Sequence, residues 1–238
     1  MRRLIRKNKK LDSVVDDQPI SIEDTDGKTV LTIPENVIVD LRKMVTRIDK
    51  VDRLPPRLVV TSALTGEGVT FISRALAATI SNDLGRKVCI VELNWWSPSS
   101  FMEPVEGGLA AVLNDESILE DEIIDTGWKK LSVLPAGVIA RQDRPIVARS
   151  AKLKETIYQL GERFDHLIID VPAIRLTSDS IPLSSLGNAC CLVIKQGVTT
   201  VEDVKQSLDE IDHLSILGVV LNQVHVNTPG KLLDLIPN

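Results

Sequence analysis

Cysteine, histidine and aromatic residues are scarce in this chain of 238 residues, which has three Cys, three His and 3% aromatic residues. Cys89, Cys190 and Cys191 lie within apolar, strand-like runs and lack metal-ligand spacing. They are therefore predicted to be buried, reduced thiols, and neither a disulfide framework nor a cysteine metal site is expected. The histidines have no partner motif, which argues against a metal or catalytic role for any of them.

Long apolar runs are also missing. No stretch approaches the length of a membrane span, and the basic start of the chain is not followed by the apolar core of a signal peptide. We therefore expect a cytoplasmic protein.

Positive charge is concentrated at the N-terminus, where six of the first ten residues are Arg or Lys, although the formal net charge of the chain is −5. Residues 1–10 are either a solvated tail or a contact with an anionic membrane surface or an acidic partner. Membrane contact would place the protein at the inner face of the membrane. Because the rest of the chain is acidic, we expect no nucleic-acid partner.

The order of apolar segments predicts the organisation of the chain. Residues 1–33 are predicted to be a basic, irregular extension with a small hairpin, and residues 34–238 a single α/β domain that begins with a helix over 35–50. Strands are predicted at 57–61, 87–93, 131–134, 166–171, 189–195 and 216–221, with helices at 70–83, 108–114, 145–162, 178–186 and 200–212. These strands are apolar throughout, which favours a mostly parallel, doubly wound sheet with helices on both faces.

The turn after the first of these strands has the layout of a phosphate-binding loop. Ser62 to Gly68 reads Ser-Ala-Leu-Thr-Gly-Glu-Gly, between an apolar strand and a helix. In such loops backbone N–H groups hold the phosphates, a Lys after the last glycine reaches the β and γ oxygens, and the next Ser or Thr holds Mg²⁺. Here the Lys position is Val69, whereas Thr70 keeps the hydroxyl. A Lys about 4 Å from a phosphate oxygen contributes up to about 4 kcal/mol, so its loss should weaken triphosphate binding severely.

Polar side chains follow the apolar strands at the edge where ligands bind in such sheets. Glu92 and Asn94 follow the second strand of the sheet, Asp170 ends the strand at 166–171, and Asn222 follows the last one. Asp170 is predicted to join Thr70 on the Mg²⁺ side of a phosphoryl-transfer site. The alternative reading of Asp170 is a helix cap or a turn residue.

Together, these segments resemble the cytoplasmic tyrosine autokinases of bacterial capsule and exopolysaccharide synthesis. This is a branch of the deviant P-loop ATPases, which also include chromosome-partitioning and septum-placement proteins. The resemblance covers residues 35–228 and is carried by the following fragments, in order: residues 62–71, 91–98, 108–113, 134–137, 164–172 and 218–222, with Asp179. It implies a nucleotide site formed by Thr65, Gly66, Glu67, Gly68, Val69, Thr70, Phe71, Asn94 and Asn222.

The departures from the family pattern fall on the residues that bind phosphate and on the acidic residues of the site. Val69 replaces the phosphate-binding Lys, Phe71 replaces a small hydroxyl residue, and Asn94 replaces the second acid of the second motif. Glu92 keeps a carboxylate, one methylene longer than the family's Asp, so Glu92 and Asp170 are interpreted as vestigial catalytic residues. The family's cluster of C-terminal tyrosines is absent, since Tyr158 is the only tyrosine.

Three functions follow as hypotheses. The first is a degenerate, pseudokinase-like relative that acts as a cytoplasmic accessory or scaffold in polysaccharide synthesis or export. It would bind ATP or ADP with Mg²⁺ weakly or not at all, hold no tightly bound cofactor, and contact a membrane polysaccharide co-polymerase or export-complex protein. The second is an active autokinase or ATPase in which Arg141, Arg144 or Arg175 replaces the missing Lys. The third is a partner- or membrane-binding module of the septum-placement type. Assembly into a homo-oligomer stays open.

Trp95 and Trp96, with Ser97, replace the usual Leu-Arg-Arg of the second motif. Two adjacent tryptophans just beyond a strand are consistent with an anchor for a protein interface. They could equally fill the vacated nucleotide pocket or cover the edge of the sheet.

Overall fold

The computed structural model describes residues 19–23, 28–51, 53–96 and 107–224. The strands in these ranges are β1 Ile20–Glu23, β2 Thr29–Ile33, β3 Arg57–Ser62, β4 Val88–Glu92, β5 Ile124–Asp125, β6 Leu131–Leu134, β7 His166–Asp170, β8 Ala189–Lys195 and β9 Ser215–Asn222. The helices are α1 Glu35–Val51, α2 Val69–Leu84, α3 Gly108–Leu113, α4 Leu119–Glu122, α5 Arg144–Ala148, α6 Ala151–Gly161, α7 Ser180–Ser184 and α8 Val201–Glu210.

Seven strands form the central sheet, in the order β5-β6-β4-β7-β3-β8-β9. All neighbouring pairs are parallel except β5 and β6. The predicted α/β class and mostly parallel sheet are therefore confirmed. This strand order places the carboxyl ends of β4, β7, β3, β8 and β9 side by side along one rim.

The sheet is buried on both faces, as its continuous apolar strands require. Along β3, Leu58 and Val60 pack with α1 and α2 on one face, while Val59 packs on the opposite face in a cluster that includes residues of α3 and α6. All three side chains are fully buried. Because successive side chains of a strand point to opposite faces of the sheet, the apolar residues of β3 are divided between two cores.

The N-terminal hairpin packs onto the same core as α1. Strands β1 and β2 are antiparallel, and Ile20, Ile22 and Ile33 lie in one buried cluster with Ile38 and Leu41 of α1. The division of the chain between residues 33 and 34 stays a prediction. The basic residues 1–10 lie outside the described part of the chain.

Three local features differ from the predicted pattern, of which the first is the short helix α4, which was not predicted. The helix predicted over 145–162 is two helices, because the Ser150 side chain accepts a hydrogen bond from the Leu153 N–H and begins α6 as a new helix. The short strand β5, which pairs antiparallel at the edge of the sheet, was not predicted. Within the described ranges, no helix is long and apolar enough to cross a bilayer.

Candidate functional site

The loop between β3 and α2 forms the centre of the candidate site. Gly66 and Gly68 have φ of 77° and 93°, a left-handed conformation that glycine adopts without steric cost. The loop ends at Gly68, and α2 begins at Val69. No described residue accepts a hydrogen bond from the backbone N–H groups of Gly66, Glu67 or Gly68. These donors at a helix N-terminus are the part of a phosphate loop that the chain retains.

The Glu67 side chain holds this loop against the neighbouring strand. Its carboxylate, 1% exposed, accepts hydrogen bonds from Leu64 N at 2.8 Å, from Lys195 N at 3.3 Å and from the Thr199 hydroxyl. Lys195 ends β8, so one buried carboxylate joins the loop to the next strand. The loop conformation therefore has internal support that does not depend on a bound phosphate.

Asn222, at the end of β9, contacts the other side of the loop. Its Nδ2 donates to the backbone oxygen of Glu67 at 2.8 Å, and a Cβ at Gly68 would lie only 2.2 Å from that nitrogen. Only glycine therefore fits at position 68. The structure thus brings Asn222 to the loop from two strands away, as the strand-end pattern predicts.

The two predicted acids are neighbours in the sheet. Glu92 of β4 and Asp170 of β7 are register partners on adjacent parallel strands. Arg74 of α2 ion-pairs with Glu92, with Nη2 and Oε1 2.9 Å apart and both side chains 10% exposed. Arg74 was not predicted as a site residue, because its partner Glu92 lies on another element. One signal was available, since Arg74 follows Thr70 by four residues and so lies on the same face of α2.

Asp170 is buried and incompletely hydrogen-bonded. Burial raises the pKa of Asp170 to about 7; the nearby Glu92 carboxylate also raises it, while a hydrogen bond with Thr70 and the charge of Arg74 oppose the rise. Its Oδ1 atom has no hydrogen-bond partner in the described part of the chain. Asp170 is thus not the cap or turn residue of the alternative reading; it is the last residue of β7.

The pocket at the loop is small, and none of the described residues that line it is cationic. Its volume is about 160 Å³, below the roughly 300–1,000 Å³ of typical ligand pockets. The described residues that line it are Ser62, Thr65, Gly66, Glu67, Gly68, Val69, Thr70, Phe71, Asn94, Ala173 and Leu176. The predicted loop residues and Asn94 thus surround one pocket, in which Val69 and Phe71 present apolar side chains.

The oxygen donors present fit Mg²⁺ only in part. Thr70 and the unpaired oxygen of Asp170 are ligands that Mg²⁺ accepts, but Glu92 is already engaged by Arg74. Among the described residues, no group of three His, Cys, Asp or Glu side chains could hold a metal. Because Mg²⁺ at such sites is usually bound by one or two carboxylates together with substrate phosphates, Thr70 and Asp170 would hold the ion only if phosphate also binds.

The three arginines proposed as substitutes for the missing Lys do not line this pocket. Arg175 contacts Gln206 and lies 3.6 Å from Asp203 on α8. The Arg144 guanidinium lies 5.4 Å from the centre of the Trp96 ring, and Arg141 lines a neighbouring groove.

The adjacent tryptophans occupy different environments. Trp95 is 3% exposed and donates from Nε1 to the Ala136 oxygen at 3.0 Å, so it is a core residue and is not available as an interface anchor. Trp96 is half-buried, and its ring lies 6.2 Å from that of Trp95. Trp96 is therefore the member of the pair that a partner could contact.

The parallel sheet and the loop after β3 give the fold of P-loop NTPases, and comparison with known proteins agrees on that fold. The putative tyrosine-protein kinase CapB of Staphylococcus aureus is 25% identical over 175 residues, which cover 71% of this chain and 76% of CapB. The tyrosine-protein kinase ptk of Acinetobacter johnsonii is 26% identical over 168 residues, or 68% of this chain. The aligned region spans only 23% of ptk. No protein-family model matches the chain.

Solved structures show the same fold. The kinase domain of VpsO superposes with a TM-score of 0.73 at 24% identity, covering 80% of this chain and 95% of that domain. The septum site-determining protein MinD of Pyrococcus horikoshii, in complex with Mg-ADP, gives a TM-score of 0.59 at 24% identity, covering 75% of this chain and 76% of MinD. The resemblance to bacterial tyrosine kinases and to septum-placement ATPases is therefore confirmed: the relatives of this chain are bacterial tyrosine-protein kinases.

Proposed function

We propose that this protein is a non-kinase relative of the bacterial tyrosine autokinases, with weak or lost nucleotide binding. It would act as a cytoplasmic accessory or scaffold in capsule or exopolysaccharide synthesis or export. A membrane polysaccharide co-polymerase or export-complex protein would be its partner. The pathway is inferred from the tyrosine kinases to which the chain is similar.

The absence of any Lys or Arg among the described residues that line the loop pocket is the main support for this proposal. Three or more negative charges on a nucleotide would meet backbone N–H donors without a compensating side-chain charge. A Lys contact of up to about 4 kcal/mol corresponds to roughly a thousandfold in affinity. The small pocket volume and the apolar side chains of Val69 and Phe71 should also weaken nucleotide binding.

The Arg74–Glu92 ion pair gives a second reason. Arg74 is a cation of the protein itself, and it is already bound to Glu92, the acid at the start of the second motif. The charge of Glu92 is therefore neutralised without Mg²⁺. Removal of Glu92 from Arg74 to serve a metal or an attacking hydroxyl would leave a buried charge unpaired, which costs about 3–5 kcal/mol.

One observation favours an active nucleotide-dependent enzyme instead. The unused loop N–H groups could donate to the phosphates of a magnesium nucleotide, and the Thr70 hydroxyl and the unpaired Asp170 oxygen could bind its Mg²⁺. Lys195, at the end of the neighbouring strand β8, would be a cation to recruit, although it does not line the pocket.

Turnover separates these two functions. Purified protein is incubated with Mg-ATP labelled at the γ-phosphate, and both released phosphate and labelled protein are measured. We expect neither signal to exceed that of a Thr70→Ala, Asp170→Asn control. Turnover that depends on both residues would reject the proposal and support the active enzyme, and its loss in Lys195→Ala would identify the replacement cation.

A further inference from the structure

A second, larger depression lies beside the loop pocket, at the same rim of the sheet. This groove has a volume of about 820 Å³ and is bounded by Trp96 after β4, the loop and helix after β6, and the loop after β7. Leu176 lines both the groove and the loop pocket. Ligands usually bind at the carboxyl rim of a parallel sheet. At this rim the groove has a larger volume than the pocket at the phosphate loop.

The groove exposes apolar surface that the fold does not use. Ile146 of α5 is 72% exposed and Leu176 is 41% exposed, and the half-buried Trp96 lines the same groove. Single exposed apolar residues are common on proteins, but several that converge on one concave surface indicate an interaction site. Burial of these side chains would favour an apolar ligand group.

The groove is also positively charged. Arg141 lines it without an ion-pair or hydrogen-bond partner among the described residues, and Arg144 lies over Trp96 with its Nε donating to the Ile139 oxygen at 3.2 Å. Arg149 is paired with Asp179, the acidic side chain among the described lining residues, and donates to the Pro145 oxygen at 3.0 Å. Arg141 and Arg144 thus have no acidic partner among the described residues of this acidic protein, so the complementary ligand is an anion.

We propose that this groove docks an acidic peptide segment of a partner protein, one that alternates carboxylate and large apolar side chains. The arginines would bind the carboxylates through paired N–H donors, and Ile146, Leu176 and Trp96 would contact the apolar side chains. A polysaccharide would satisfy the arginines but offers no large apolar side chains, so the peptide is the better match. The inference goes beyond the proposed function and holds whether or not the loop binds nucleotide.

Selection from a random library of displayed 12-residue peptides on the full-length protein tests the proposal. Bound peptides are counter-selected on Arg141→Glu and Ile146→Glu variants. Both altered side chains are exposed, so the fold should persist, and thermal unfolding checks this. Lys154→Glu on α6 and Val201→Glu on α8 serve as matched controls, since they make the same changes on exposed positions elsewhere.

We expect the enriched peptides to be acidic and apolar, and their affinity to fall about tenfold or more in each groove variant but not in the controls. Binding should weaken with salt and change the fluorescence of Trp96. The proposal is overturned if no peptide depends on Arg141 and Ile146, or if the dependent peptides are neutral or basic. Alginate oligosaccharides binding there in place of peptides would assign the groove to a glycan. Self-association that Ile146→Glu abolishes would assign it to a second copy of the chain.

Discussion

Arg74 and Glu92 show how one residue pair changes the electrostatics of a phosphate site. Both side chains lie beneath the loop at 10% exposure, where an isolated charge would be costly. In a site that binds Mg-nucleotide, ligand and metal charges balance the buried acids. Here the guanidinium supplies one positive charge permanently, so Glu92 is balanced while no ligand is bound.

Replacement of Arg74 should therefore destabilise the protein more than a surface change would. We expect Arg74→Ala to lower the free energy of unfolding by about 3–5 kcal/mol, because Glu92 is left buried without its partner. Urea unfolding followed by circular dichroism measures this. The double variant Arg74→Ala, Glu92→Gln should recover part of the loss, and equal stabilities of the single and double variants would contradict the pairing.

Asp170 should make stability depend on pH in a particular direction. Burial raises its pKa from 3.8 to about 7 in the folded protein, so the folded state favours the protonated form. The contribution of Asp170 to the free energy of unfolding is fully present below about pH 4. It is lost as the pH rises to about 7, at about 1.4 kcal/mol per pH unit.

Comparison of wild-type protein with Asp170→Asn across this range isolates the effect. The difference in unfolding free energy should shift in favour of the Asn variant between about pH 4 and pH 7 and then level off. A difference that stays constant with pH would show that Asp170 titrates normally.

Some residues of this site could be predicted from the sequence, and others could not. Val69, Thr70 and Asp170 were visible because each belongs to a local pattern of strand, loop and helix. The Arg74–Glu92 pair joins residues on a helix and a strand, and its formation depends on how α2 packs over β4. The burial of Trp95 and the exposure of Trp96 likewise depend on packing, so adjacent identical residues could not be told apart.

At the scale of elements, the loop between β3 and α2 is held by residues of β8 and β9. Within the loop, Glu67 accepts hydrogen bonds from Lys195 of β8 and from Asn222 of β9, each more than a hundred residues away in sequence. Such support predicts a loop that is ordered without nucleotide.

Glu67→Gln should loosen the loop while leaving the helix after it intact. An amide nitrogen cannot accept a hydrogen bond, so one of the two sides of the carboxylate network is lost, at a cost of about 1–3 kcal/mol. Hydrogen exchange should become faster at the Leu64 or Lys195 amide and stay slow within α2. Glu202→Gln, an exposed change on α8, is the control and should alter neither amide.

Regular elements were predictable to within a few residues where a continuous apolar run or a helical period defined them. The predicted strand at 189–195 matches β8, and the predicted helix at 70–83 matches α2 apart from its end residues. The break at Ser150 was missed because apolar residues continue at helical spacing through it, and β5 was missed because two residues carry no period.

At the scale of the molecule, the sheet preserves the architecture of a nucleotide-binding protein while its carboxyl rim has a different distribution of space and charge. The loop pocket is small and has no cation among its described lining residues, whereas the groove beside it is larger and lined by Arg141 and Arg149. The alternation of strands and helices predicted the sheet. It could not predict the groove, because the groove is formed by loops whose positions depend on tertiary packing.

Calorimetric titration of Mg-ATP into the wild-type protein and the Val69→Lys variant tests the central claim most directly. We predict no saturation below about 1 mM for the wild type and binding at least tenfold tighter for the variant, because the lysine restores a cation at the phosphates. Micromolar binding by the wild type, unchanged by the lysine, would contradict the account.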